Sequence, residues 1–258
     1  MIKKLVHFSD LHLRLIKDHD LYKTILTDMF NQFKEIKPDR VVFSGDLVHS
    51  KNQVSPELIE MVRWVLDECS KIAKTIIIVG NHDMLENNLS RLDTLTPIIQ
   101  SMDNDNIVYY KDRGVYQDEN IDWVVYSLFE HNIPPVIEKS DRLKIGLFHG
   151  PIVGLYTDIG YKFETGYEVS KFEGCDIVLC GDIHARQTIY LDKTPIIQVG
   201  STIQQNFGES LRKHGFGIYD VIKDDYSFVD LNNPRPFLKF EMNSFEDIID
   251  GKEKLLNA

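Results

Sequence analysis

Cysteine is scarce and shows no pairing pattern. The 258-residue chain holds three, Cys69, Cys175 and Cys180, and their odd number without any CxxC spacing argues against a disulfide framework. Each is expected to be a buried, reduced hydrophobe. Long apolar runs are also missing. Thr75–Val79 and Ile121–Leu128 fall far short of the roughly 20 residues that span a bilayer, so no membrane segment is expected. The opening MIKKLVHFSD has two lysines but neither an apolar stretch nor a small-residue cleavage site. No secretory signal is therefore expected, and a cytoplasmic location is. Positive charge is outnumbered, 29 Lys and Arg against 40 Asp and Glu, for a net charge of −11. That balance argues against a broad basic face for nucleic acid, so an anionic substrate needs local positive charge, such as bound metal. No Walker-type lysine loop is present, which removes ATP hydrolysis from the expected activities.

What the chain does have is an ordinary globular composition, 43% apolar and 27% charged, and a clear alternation of patterns. LVHFS reads as a short buried strand ending in a polar loop. From Asp20 to Lys37, Leu21, Ile25, Met29, Phe33 and Ile36 recur at helical spacing before Pro38. RVVFSGDL is the next strand. Ser55 and Pro56 form an N-cap and first-turn pair ahead of Ile59, Val62, Leu66, Cys69 and Ile72, and TIIIVGN follows. This alternation predicts βαβ units and a largely parallel sheet. After a helix expected over Ser90 to Ser101, strand patterns dominate: NIVYY, IDWVVYSL, KIGLFHG, CDIVLCGD, QTIYL, PIIQVG, GFGIYDVI and YSFVDL, with PFLKFEM as a further candidate. A second sheet is expected, and SFEDIIDGKEKLLNA is read as one short helix or a frayed tail.

The polar residues that stand out cluster in five loops, each after an apolar strand: Asp10-Leu-His12, Gly45-Asp46, Gly80-Asn81-His82-Asp83, His149-Gly150 and Gly181-Asp182-Ile-His184. Carboxylates, imidazoles and one amide together suit a divalent first-row cation, whereas an all-oxygen set would suit Mg²⁺ or Ca²⁺. In the two Asp-x-His pairs, extended backbone would place both side chains on one face. The bland readings prevail elsewhere. His7 lies within the first strand and is given a structural role, the Asp103 to Asn106 run lacks the glycine and final glutamate of a calcium loop, and Asp118 to Asn120 is read as a solvated turn. Arg186 and Gln187 are equally compatible with a phosphate contact and with a surface role.

The five motifs, in this order, resemble the calcineurin-like metallophosphoesterase superfamily. Flanking words narrow the likeness. GDLVHSKNQVS at 45–55, GSTIQQNFGE at 200–209 and NNPRPFLKFEM resemble segments of the SbcD and Mre-eleven double-strand-break repair nucleases. The resemblance implies an α/β fold, a four-layer α/β/β/α sandwich, with a nuclease domain over 1–220. Residues 221–258 would form a hairpin and short helix leading toward an absent or truncated capping region. It implies two divalent ions, Mn²⁺ foremost with Mg²⁺, Fe²⁺ or Zn²⁺ as alternatives. Asp10, His12, Asp46 and His184 would hold one, and Asp46, Asn81 and His149 the other. The usual GHxH motif is altered, because Asp182 stands where a histidine ligand is usual; a carboxylate there adds negative charge and favours harder cations. His82 would be the general acid, Asp83 its orienting partner, and His49 a contact to substrate phosphate. Implied partners are DNA, an SbcC-like ATPase of the Rad-fifty type and a second copy of the chain. The rival activities are a small-molecule phosphodiesterase acting on cyclic nucleotides or dinucleotides, and a metal-stabilised scaffold without turnover.

Overall fold

The computed structural model describes residues 1–51, 53–130 and 133–239. Two six-stranded mixed sheets pack face to face. The first is built from β1 (Lys4–Phe8), β2 (Arg40–Phe43), β3 (Lys74–Ile77), β4 (Ile107–Tyr109), β11 (Gly215–Asp220) and β12 (Asp225–Asp230), in the order β12-β11-β1-β2-β3-β4. β1 to β4 run parallel, and the β11–β12 hairpin adds antiparallel to β1. The second comprises β5 (Gly114–Asp118), β6 (Ile121–Tyr126), β7 (Leu143–His149), β8 (Ile177–Gly181), β9 (Gln187–Leu191) and β10 (Thr194–Gln198), in the order β5-β6-β7-β8-β10-β9. Here β6, β7, β8 and β10 are parallel and both edges antiparallel.

Strand alternation sorts the core into layers. Leu5, Val42, Ile76, Trp123, Val125, Ile145, Leu147 and Leu179 meet between the sheets. Val6, Phe8, Val41 and Phe43 face outward against α1 (His19–Ile36), α2 (Pro56–Ile72) and α3 (Leu95–Met102). Ser55 caps α2 by accepting the Leu58 N–H at 3.1 Å, with Pro56 in the first turn as expected. α3 begins five residues later than its periodicity suggests. Asp93 accepts the Thr96 N–H at 2.7 Å and so fixes the start, while Leu89 and Leu92 are exposed and contribute no apolar face.

The two-sheet α/β arrangement is the expected one. Its fourth layer differs in kind. Among the described residues no α-helix covers the outer face of the second sheet. Val124, Tyr126, Phe148, Val178 and Cys180 are instead sealed by Ile152, Leu155, Tyr167 and Phe172, from the loop after β7 and a 3-10 turn at Val169–Phe172. β5 was not foreseen, and Asp118 at its end is no solvated turn. It is 8% exposed and takes a two-pronged hydrogen bond from Arg40, 2.7 Å on each oxygen, tying the two sheets together. Asp103 is at φ 48° and Asn106 N–H donates to Asn104, so that run is a turn. Residues 236–239 form no strand. The rest of PFLKFEM and the tail helix lie outside the described residues. No helix among those described is long and apolar enough to cross a membrane.

Candidate metal centre

Parallel strands deliver their following loops to a common sheet edge, the usual place for ligands in α/β folds. β1, β2 and β3 end in the Asp10, Asp46 and Asn81 loops, and β7 and β8 end at His149 and Gly181. Close approach at this edge depends on absent side chains. A Cβ on Gly45, whose φ is +99°, would lie 2.4 Å from His149 Nδ1, and one on Gly181 would lie 2.1 Å from Ser9 Oγ. Asp10, His12, Asp46 and Asp182 all have positive φ, between 48° and 93°. The Asp-x-His pairs thus converge through left-handed turns rather than extended backbone. Such conformations cost of order 1–3 kcal/mol each and collect at functional sites.

The Asp46 carboxylate lies between two histidines. Asp46 Oδ2 lies 3.4 Å from His12 Nε2, and Asp46 Oδ1 lies 3.3 Å from His149 Nε2. Three groups of side chains here could hold a cation: Asp10, His12 and His184; Asp10, Asp46 and His149; and, nearer the mouth, His12, His49 and His82. His12 Nε2 and His184 Nε2 face each other at 3.0 Å, while Asp182 Oδ1 lies 3.8 Å from His149 Nε2 and accepts the Asn81 amide N–H at 3.0 Å. All seven candidate ligands are therefore within one small space, Asp182 among them.

The surrounding hydrogen bonds leave the right atoms free for a cation. His149 Nδ1 donates to the Ser44 carbonyl at 2.7 Å, and its buried Nε2 has no hydrogen-bond partner. Asn81 Oδ1 is likewise buried without one. His184 Nδ1 donates to Glu209 at 2.8 Å, which orients Nε2 inward in the way metal-bound histidines are commonly held. Glu209 is the functional residue that sequence reasoning missed. Its carboxylate also accepts from Gln205 N and Asn206 Nδ2, at 2.8 Å each. The signal available was a lone carboxylate in GSTIQQNFGE, directly after the last ligand motif.

Electrostatics fit the same use. Burial pushes Asp10 up to about 7, with the charges of Asp46 and Asp182 adding to it. Burial also raises Asp46, but His149 and His12 outweigh it and hold the carboxyl far below the ordinary range, while Asp46 in turn raises His149 against its own burial. Burial lowers His12. Against its burial, Glu209 and Asp10 lift His184 to about 9. Crowded carboxylates of this kind are relieved by cations, which favour their ionised forms.

His82 and His49 stand at the mouth with Arg14, around a cavity of about 220 Å³. His82 Nδ1 donates to the His49 carbonyl at 2.7 Å, and the rings stack with centroids 5.6 Å apart. Asp83 requires a correction. It does not orient the His82 ring. Fully buried, it accepts the N–H groups of Asp46, Gly80 and Val48 at 2.9, 2.9 and 3.0 Å, so it positions the loop that carries Asp46. His7 bonds Ser44 and Tyr226 and is structural. Arg186 pairs with Asp230 and lies over Phe228, and Gln187 bonds the backbone of Tyr156. Both are structural as well.

The sequence model of the calcineurin-like phosphoesterases matches residues 3–186, an interval that ends just past His184. The chain belongs to the calcineurin-like phosphoesterase family. Its clustered carboxylates and imidazoles could hold a metal ion. A curated relative, the uncharacterized protein R555 of Acanthamoeba polyphaga mimivirus, is 34% identical over 266 residues. The match covers 97% of this chain and 19% of that protein, so the chain spans about a fifth of the relative's length. Among solved structures, an archaeal phosphodiesterase aligns at a TM-score of 0.49 and 16% identity, over 88% of this chain and 99% of that one. The phosphopantetheinyl hydrolase of Mycobacterium tuberculosis aligns at 0.45 and 12% identity, over 77% and 89%.

Proposed function

We propose that the chain is a metal-dependent DNA exo- and endonuclease subunit that hydrolyses phosphodiesters with two cations, in repair or recombination. One observation carries the two-cation part: the Asp46 carboxylate has one oxygen beside His12 and the other beside His149. Asp10, His12, Asp46 and His184 would hold one ion, and Asp46, Asn81, His149 and Asp182 the second, with Mn²⁺ as the activating metal. Paired ions in such a site polarise the phosphodiester and supply a nucleophile at neutral pH.

The chain's own residues do the rest. Asp83 fixes the Asp46 loop through three backbone N–H groups, and Glu209 and Ser44 fix the His184 and His149 rings. His82, with Nδ1–H committed to the His49 carbonyl, keeps Nε2 to move a proton at the leaving oxygen. The His49 ring contacts the substrate phosphate. The DNA assignment rests on the likeness of GDLVHSKNQVS, GSTIQQNFGE and NNPRPFLKFEM to SbcD-type nucleases. An SbcC-like ATPase partner and a homodimer belong to the same proposal, as does a cytoplasmic setting.

Two other readings each have an observation in their favour. The net charge of −11 favours a small nucleotide ester over a polymer, and Asp182 in place of a histidine favours a scaffold with weak turnover. Digestion of end-labelled duplex DNA with Mn²⁺ separates them. The nuclease degrades it, and His82→Ala does not. Intact DNA beside hydrolysed nucleotide ester overturns the nuclease reading, and no turnover on either with metal bound leaves the scaffold.

A further inference from the structure

A second cavity opens beside the metal centre. It measures about 370 Å³, within the size range of small-ligand sites, and shares Asp182 and His184 with the centre. Its apolar wall is Ile159, Phe163 and Ile183. Phe163 is braced edge-on by Tyr161 at 5.4 Å, and Ile159 is 79% exposed and so accessible to a ligand. The charged residues lining it are Asp158, Asp182, His184 and Glu209, with no Lys or Arg among them. Another cavity adjoining the mouth has the opposite character. It shares Arg14 and Gln205 with the mouth and adds Lys17 and Arg235 against one carboxylate, Asp18, which pairs with Arg14.

A phosphodiester bound at the centre carries two substituents. With Asp182 and His184 given to the cations and Glu209 bonded to His184, the first cavity offers Asp158 and no base to further phosphates, whereas the basic cavity suits them. An uncharged planar group fits the apolar wall, because aromatic and aliphatic faces take nucleobases without needing base-specific pairing. We infer that the cleft formed by Ile159, Phe163 and Ile183 beside Asp182 and His184 is a nucleobase subsite, which holds the base of the nucleotide at the scissile phosphate. This rests on the phosphodiester hydrolase reading, and holds whether the substrate is DNA or a nucleotide ester.

The test uses the full chain with Mn²⁺ and two esters with the same leaving group, thymidine 5′-phosphate p-nitrophenyl ester and methyl p-nitrophenyl phosphate. Native protein is expected to favour the thymidine ester in kcat/KM by roughly five-fold or more, the lower end of a base-stacking contribution. Ile159→Ser, at an exposed position, is expected to lose that preference and keep the methyl-ester rate. Titration calorimetry with thymidine 5′-monophosphate and inorganic phosphate reads the subsite without turnover, and there the nucleotide should bind at least five-fold more tightly, with Ile159→Ser removing the difference. Equal handling of both esters by native protein, or an equal loss on both in Ile159→Ser, overturns the subsite. If neither ester is hydrolysed the hydrolase reading fails, and the calorimetric comparison alone then decides the subsite.

Discussion

Replacing Glu209 by Gln tests whether the hydrogen bond behind His184 serves the metal. The carboxylate accepts the His184 Nδ1–H at 2.8 Å, with Gln205 N, Asn206 Nδ2 and Ser201 Oγ as its other donors. Gln keeps the volume but presents an amide with only one acceptor oxygen, so it cannot accept from all of them. The ring loses the charged partner that fixes its tautomer and raises its basicity. Loss of such an outer partner costs about 10–100-fold in metal affinity or activity, or roughly 1.4–2.7 kcal/mol. Isothermal titration with Mn²⁺ should show the weakening in one of the two binding events. Circular dichroism melting should confirm that the fold survives. Unchanged affinity at both sites would refute the reasoning, and so would an unfolded variant, which would make Glu209 a packing residue.

Three further outcomes follow from the same geometry. His82→Ala should lower kcat by about 10²–10⁴ while metal content by elemental analysis stays at the native level, because its Nδ1 is taken by the His49 carbonyl; a fall in metal content would instead make His82 a ligand with His12 and His49. Asp118→Ala removes the two-pronged partner of the half-buried Arg40, which keeps Glu119, and leaves Trp123 Nε1 without its acceptor; it should cost about 1–3 kcal/mol in urea unfolding, and a loss below about 0.5 kcal/mol would fit the solvated turn instead. Burial lowers the His7 pKa from 6.5 to about 3, so between those values the unfolded chain binds a proton that the folded chain refuses. Its stabilising contribution is complete above pH 6.5 and is lost as pH falls toward 3, with a slope of up to about 1.4 kcal/mol per pH unit. Unfolding from pH 4 to pH 7 should therefore be less pH-dependent in His7→Gln than in the native chain, by about that slope.

Much of the first sheet was legible because its helices are amphipathic and its strands are buried runs, two periods that leave little overlap. The ligand motifs were legible because each places short polar residues directly after an apolar run. What escaped depends on contacts distant in sequence. Asp118 looks like a turn until Arg40, 78 positions earlier, arrives beside it. Asp83 next to His82 suggests a pair along the chain, yet its side chain turns inward to the Asp46, Gly80 and Val48 amides. The outer cover of the second sheet has no helical period to read, because Ile152, Leu155, Tyr167 and Phe172 reach it from a loop and a 3-10 turn. Glu209 gave only a weak signal, since nothing local distinguishes a carboxylate that holds a histidine ring from one on the surface.

Hydrolysis of bis-p-nitrophenyl phosphate across a Mn²⁺ titration tests most directly whether the chain is a phosphodiester hydrolase organised around Asp46. Native chain should turn over with a rate that saturates in metal. Asp46→Ala should be inactive at every concentration, since the carboxylate that stands between His12 and His149 is lost. Native chain that stays inactive at saturating Mn²⁺, Fe²⁺ and Zn²⁺, or an Asp46→Ala protein that keeps the native rate, would contradict the account.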